Sequence, residues 1–200
     1  MSWFVDYNQQ DDDFILISSQ RLFNDTQSGG TNWVEEYANY RSSADGRSYN
    51  TTVVDVDQLY NQFGYGINRH SISIRNFGHF IKKEWTDPKY IFLIGKGRTY
   101  DEIRTADGLN EAILDNTFHV PTFGTQGGGD NLLFSTNYTG YPIIPVGRVA
   151  ARKPSDVRLY LEKVIAQETN QNQPDRTIEN LAWRKRILHL GGGNTQEQPL

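Results

Sequence analysis

Two carboxylates close one predicted strand. Thr51-Thr52-Val53-Val54-Asp55-Val56 is short and β-branched, and Asp55 and Asp57 stand at alternate positions near its end, so both can point to one side. Such a pair at the carboxyl edge of a sheet could bind calcium or polarise a reacting group. The plainer reading, and the favoured one, is that Asp57 caps the short helix that follows. A second set is more dispersed. Arg148 lies within Pro145-Val146-Gly147-Arg148-Val149-Ala150-Ala151-Arg152, and Gly147 beside it allows close backbone approach. A guanidinium at that strand end could pair with a carboxylate across a subdomain seam. Asp130, behind Gly127-Gly128-Gly129, is either that partner or an ion ligand.

Other chemistries are excluded by spacing. The chain has no cysteine, so it holds no thiolate nucleophile, thiolate metal site or disulfide. Gly95-Lys96-Gly97 follows a predicted strand, but a phosphate loop needs a glycine where Tyr90 stands and a Ser or Thr where Gly97 stands. Gly191-Gly192-Gly193 fails the dinucleotide fingerprint because Gln196 occupies the third glycine position. There is no Gly-x-Ser-x-Gly elbow. The four histidines, His70, His79, His119 and His189, show no metal-ligand spacing. His79 falls one position off an apolar helical stripe and reads as a half-exposed structural residue.

The elements that must position these groups follow from periodicity. Phe14-Ile15-Leu16-Ile17-Ser18-Ser19 and Tyr90-Ile91-Phe92-Leu93-Ile94 are continuous apolar runs, as in strands buried on both faces. Ile143 to Val149 is a further strand, near an edge because Pro145 donates no ladder hydrogen bond. Helices are expected over 33–41 and 57–63, through the stripe Ile74, Phe77, Ile81 and Trp85, and from Pro154 to about Glu168. Val120-Pro121-Thr122-Phe123 and Leu132-Leu133-Phe134 read as short strands, and 169–179, rich in Asn, Gln and Pro, as a linker. Arg186 to Leu190 reads as one more buried strand. Too few residues follow Gly193 to complete the unit that this strand opens, so the expectation is a chain cut near the start of a second subdomain. The order βαβαβ argues for a mostly parallel α/β sheet with helices on both faces.

Bulk composition agrees. A hydrophobic fraction of 36% with 12% aromatic residues suffices for a packed core, and a net charge of −4 argues against a nucleic-acid partner. No stretch has the length of a membrane span. The first residues lack the features of a signal peptide, so if the protein is exported the signal lies upstream.

The ordered segments resemble the gingipain-type cysteine peptidases, and within them the sortase-like members of type IX secretion. They are Phe14–Ser18, Trp33-Val34-Glu35-Glu36-Tyr37, Val53-Val54-Asp55-Val56, Ile74-Arg75-Asn76-Phe77, Pro88 to Gly95, Val120 to Phe123, Gly129-Asp130-Asn131, Val146 to Arg152 and Lys185 to Gly192. The resemblance implies a caspase-like, three-layer α/β fold in two subdomains, with the catalytic His and Cys in the second. Neither residue carries over, because the chain has no Cys and His189 has no following glycine. The implied organisation is a lead-in (1–12), an N-terminal α/β subdomain (13–168), a linker (169–183) and the start of the catalytic subdomain (184–200). No cofactor is required in this chain. Calcium dependence in some members makes Asp130 the calcium candidate, with Arg148 and Asp55 as seam residues. The implied partners are the remainder of the catalytic subdomain, a protein or peptide substrate and type IX secretion components, in an exported protein. Two rivals stand beside this expectation: a non-catalytic α/β interaction module, and a nucleotide-binding domain resting on Gly95-Lys96-Gly97.

Overall fold

Phe14–Ser18 forms strand β1 with every residue buried, the result expected of an apolar run with β-branched residues and helices on both sides. The computed structural model of the protein describes residues 4–8, 10–105, 110–124, 129–136, 140–172 and 177–187. The remaining strands are β2 (Thr51–Asp55), β3 (Tyr90–Ile94) and β4 (Val146–Val149). All pair in parallel, in the order β2-β1-β3-β4. The helices are α1 (Trp33–Ser42), α2 (Val56–Phe63), α3 (Ile72–Glu84), α4 (Tyr100–Ile103), α5 (Glu111–Thr117), α6 (Asp130–Leu133), α7 (Pro154–Gln171) and α8 (Ile178–Leu181).

The strand pleat sorts side chains into two cores. Ile15, Ile17, Ile91 and Leu93 face one way and pack with Val56, Leu59 and Tyr60 of α2 and Ile74, Phe77 and Ile81 of α3. Phe14, Leu16, Phe92 and Ile94 face the other way and meet Val34, Tyr37 and Ala38 of α1 and Val157 and Leu161 of α7. The result is the three-layer, caspase-like α/β arrangement, with β4 at an edge as the Pro145 argument requires.

Local signals differ from expectation at three places. The α2 cap is Asp55, whose Oδ1 accepts from the Asp57 N–H at 3.1 Å, so Asp57 sits inside the first turn. Leu132 and Leu133 are helical, in α6, and 120–123 forms no strand. The apolar run was a poor guide there because a four-residue helix and a short strand share one pattern. The last strand is shorter than 143–149 and starts at Val146, after Pro145, whose carbonyl accepts from Ile91.

The chain divides into a unit ending at Val164 and a second beginning at Ile165. The second contains the end of α7, which runs helical to Gln171, then α8, capped by Thr177, and a 3-10 turn over Ala182–Lys185. Helix therefore occupies part of the expected linker. The expected strand over 186–190 and the glycines after it lie largely outside the described residues. Among the described residues, no helix is long and apolar enough to cross a membrane.

Gly78 of α3 is a packing position. A Cβ there would lie 2.4 and 2.6 Å from ring atoms of Phe134, which is fully buried. At an exposed helical site Gly→Ala stabilises by about 1 kcal/mol, whereas overpacking a core costs about 1–3 kcal/mol. Gly78→Ala is therefore expected to destabilise the fold by about 1–2 kcal/mol in urea unfolding, and Phe134→Leu in the same chain to recover part of the loss.

Candidate functional site

The order β2-β1-β3-β4 reverses the direction of winding between β1 and β3. The β1-to-β2 connection passes through α1 on one face, and the β2-to-β3 connection passes through α2 and α3 on the other. Such a switch point leaves a crevice outside the carboxyl ends of the two strands. Here it opens into a cleft of about 1290 Å³. Ser18 donates from Oγ to the Ile94 carbonyl at 2.8 Å, which joins the ends of β1 and β3.

One wall is the turn between α2 and α3. Tyr65, Gly66 and Arg69 have φ of 57°, 74° and 58°, a conformation uncommon for side-chain-bearing residues. The turn is tied across the cleft, since Arg69 pairs with Glu111 and Asp115 of α5. Arg21, following β1, reaches the same Asp115 at 2.6 Å. The two cations are thus compensated by two carboxylates.

The segment that brings His119, Thr122 and Phe123 to the cleft is fastened by Arg148. Its Nε and Nη2 donate to Asp130 at 2.7 and 2.9 Å, its Nη1 to the carbonyls of Gly95 and Val120 at 2.7 and 2.9 Å, and Nη2 also to Pro121 at 2.8 Å. All five guanidinium N–H groups are used. One side chain therefore fastens the exit of β3, the 120–121 segment and the start of α6 to β4. The Asp130 Oδ1 also accepts from Thr122 at 2.9 Å. The residues do not fit calcium at Asp130, because both oxygens are engaged by donors and a guanidinium already faces them. Among the described residues, no group of three or more His, Asp or Glu could hold a metal ion. Arg148 meets its carboxylate within one unit. Asp55 caps α2 and accepts from Gln20 Nε2 at 2.6 Å, and burial, ahead of any neighbouring charge, raises its carboxyl pKa.

Gly95-Lys96-Gly97 is a closed junction. The Gly95 and Lys96 N–H groups donate to the Val149 and Ala151 carbonyls, and the Lys96 carbonyl accepts from His119 and Val120. Amides used in this way cannot wrap a phosphate, which removes the basis of the nucleotide reading. Gly95 has φ of 142°, and a Cβ on it would lie 2.8 Å from the Cβ of His119.

His119 was the residue that sequence reasoning undervalued. It is 4% exposed and forms part of the cleft wall. Its Nε2 lies 2.9 Å from the Arg152 carbonyl. A carbonyl only accepts, so Nε2 carries the proton and Nδ1 presents a lone pair, which is buried without a partner. Burial, then Arg21 and Arg69, pushes its pKa below the ordinary histidine value, against the opposing pull of the Arg152 bond and Asp115. Arg98, also on the cleft, has a buried Nε with no acceptor. The only sequence signal for His119 was its position beside the Val120–Phe123 segment. Its neighbours Arg21, Arg69 and Asp115 come from three separate connections.

The profile of Peptidase family C25 matches residues 7–199. Among solved structures, the dimeric latent PorU from Porphyromonas gingivalis is similar at 20% sequence identity with a TM-score of 0.59, a likeness of fold. The match covers 89% of this chain and 17% of that one. No curated protein matches.

Two outcomes are expected. Arg148→Met removes the partner of a largely buried carboxylate, the two side chains being 13% and 20% exposed, and strands three carbonyls. It should cost about 3 kcal/mol in urea unfolding, and a loss below about 1 kcal/mol would count against the clamp. The second concerns acid. His119 and His79 both titrate below the ordinary value of 6.5 in the folded state, mainly through burial. The unfolded chain therefore takes up these protons first. Their contribution is complete above pH 6.5 and declines as pH falls below it toward the depressed values. Unfolding free energy measured across that range should fall with acid, and His119→Gln should flatten the slope.

Proposed function

The chain belongs to Peptidase family C25, the gingipain family, and from that premise we propose that it is the N-terminal part of a gingipain-like cysteine peptidase or type IX secretion sortase. The observation that carries the reading is the family match over 7–199 in a chain that contains no cysteine. The nucleophile then belongs to residues beyond these. In the whole protein a thiolate attacks the scissile carbonyl carbon, and a histidine delivers a proton to the leaving amine. Water resolves the acyl-enzyme in a hydrolase, and an acceptor amine does so in a transpeptidase. Residues 13–168 would support that chemistry from a neighbouring subdomain, 169–183 would connect, and 184–200 would open the catalytic half. The substrate is a protein or peptide, the partners include the remaining subdomain and secretion components, and the protein acts after export.

A peptidyl electrophile that alkylates thiolates tests this. The 200 residues alone should take no label and hydrolyse no peptide, whereas the protein with its downstream sequence should be labelled at a cysteine past Leu200. Peptide hydrolysis by the 200 residues alone, unaffected by thiol reagents, would overturn the reading. A longer protein that takes no label and cleaves nothing would instead favour the non-catalytic interaction module.

A further inference from the structure

We propose that the outer edge of β2 is a self-association surface, on which a second copy of this chain adds its own β2 antiparallel, about a twofold axis at Val53. The order β2-β1-β3-β4 leaves β2 outermost on its side of the sheet. Its backbone phase follows from the ladder. The Phe14 N–H donates to the Asn50 carbonyl, and Phe14 stands opposite Thr51. Along a strand, alternate residues bond the same neighbour, so Thr52 and Val54 face β1. Thr51, Val53 and the Asp55 N–H turn outward. Among the described residues, no strand pairs with that side of β2.

Native sheet edges are blunted by proline, a cation or a bulge, because an unblunted edge is a template for pairing. The opposite edge has such devices, since β4 follows Pro145 and carries Arg148. β2 reads Thr-Thr-Val-Val-Asp, with no proline, glycine or cation, and Thr51, Thr52 and Val53 are only half-buried. Two features favour a copy of the same chain as the occupant. Antiparallel pairing about Val53 sets Thr51 of one copy opposite Asp55 of the other, so no like charges meet across the joint. Helix α1 lies over β2, with Ser42 Oγ 2.7 Å from Thr51 Oγ1, and the twofold runs the two copies of α1 antiparallel. The acidic first turn of one, with Glu35 and Glu36, then lies toward the last turn of the other, which carries Arg41. Those charges and the two helix dipoles are of complementary sign. The two four-stranded sheets become continuous in a closed, isologous dimer.

Sedimentation velocity of the 200-residue protein, from about 10 μM to about 1 mM, tests this. A concentration-dependent dimer is expected, weak because a five-residue edge falls below the standard interface size. Thr51→Glu sets like charges opposite Asp55 at both ends of the joint and should weaken dimerisation about three- to tenfold, whereas Thr51→Lys should strengthen it by a similar factor. Both variants lose the same Ser42 contact, so the sign of the charge is what separates them. Amide exchange followed by NMR locates the joint. The Val53 and Asp55 N–H groups should slow as concentration rises, with Thr52 and Val54 unchanged. A monomer at about 1 mM, shifts of the same sign in the two Thr51 variants, or a dimer whose Val53 amide exchanges as in the monomer would each overturn the proposal. So would a monomer with the Val53 amide protected at every concentration, the result expected if another segment of the same chain holds this edge.

Discussion

Most of this fold's functional face hangs on one guanidinium. Arg148 satisfies all five of its N–H groups inside the protein, two with Asp130 and three with carbonyls of Gly95, Val120 and Pro121. A buried cation is costly unless it is paired and hydrogen-bonded throughout. Here the pairing is complete, so the same bonds that make burial tolerable also fix four chain segments relative to one another. A lysine could satisfy the charge without matching the planar fork. The consequence is local rigidity where an edge strand of four residues would otherwise hold little.

That rigidity reaches the cleft through His119. The Lys96 carbonyl accepts from the His119 and Val120 N–H groups, and the Val120 carbonyl is itself a ligand of Arg148. The imidazole is then oriented by the Arg152 carbonyl, which sets its tautomer. On the opposite wall a different device does the same work. The left-handed turn at Tyr65–Arg69 is held by Arg69 reaching Glu111 and Asp115. Arginines position both, Arg148 13% exposed with every N–H used, and Arg69 18% exposed and reaching α5 from the turn before α3.

Much of this was legible beforehand. Continuous apolar runs located β1 and β3 correctly because strands buried on two faces need apolar side chains on both. Pro145 located the edge. Strand position and glycine context single out Arg148 and Asp130, and the two side chains meet. The misreadings are local. Leu132-Leu133 is helix because so short an apolar run fits either period, and the α2 cap is Asp55 because the helix starts one residue earlier, at Val56. At Asp130, spacing reveals a carboxylate but not that Arg148 and Thr122 donate to its oxygens.

The amino-acid sequence by itself determined the layer plan, the absence of a thiol nucleophile from these residues, and the family, since each depends on residue type and local order. Only the tertiary structure decided what the cleft contains. Arg21 lies on the β1–β2 connection, Arg69 on the β2–β3 connection, and Arg98, Asp115 and His119 on the β3–β4 connection, and no periodicity couples them. They converge because the sheet reverses its winding between β1 and β3, and the free lone pair of His119 exists only because a carbonyl from beyond β4 claims the other nitrogen.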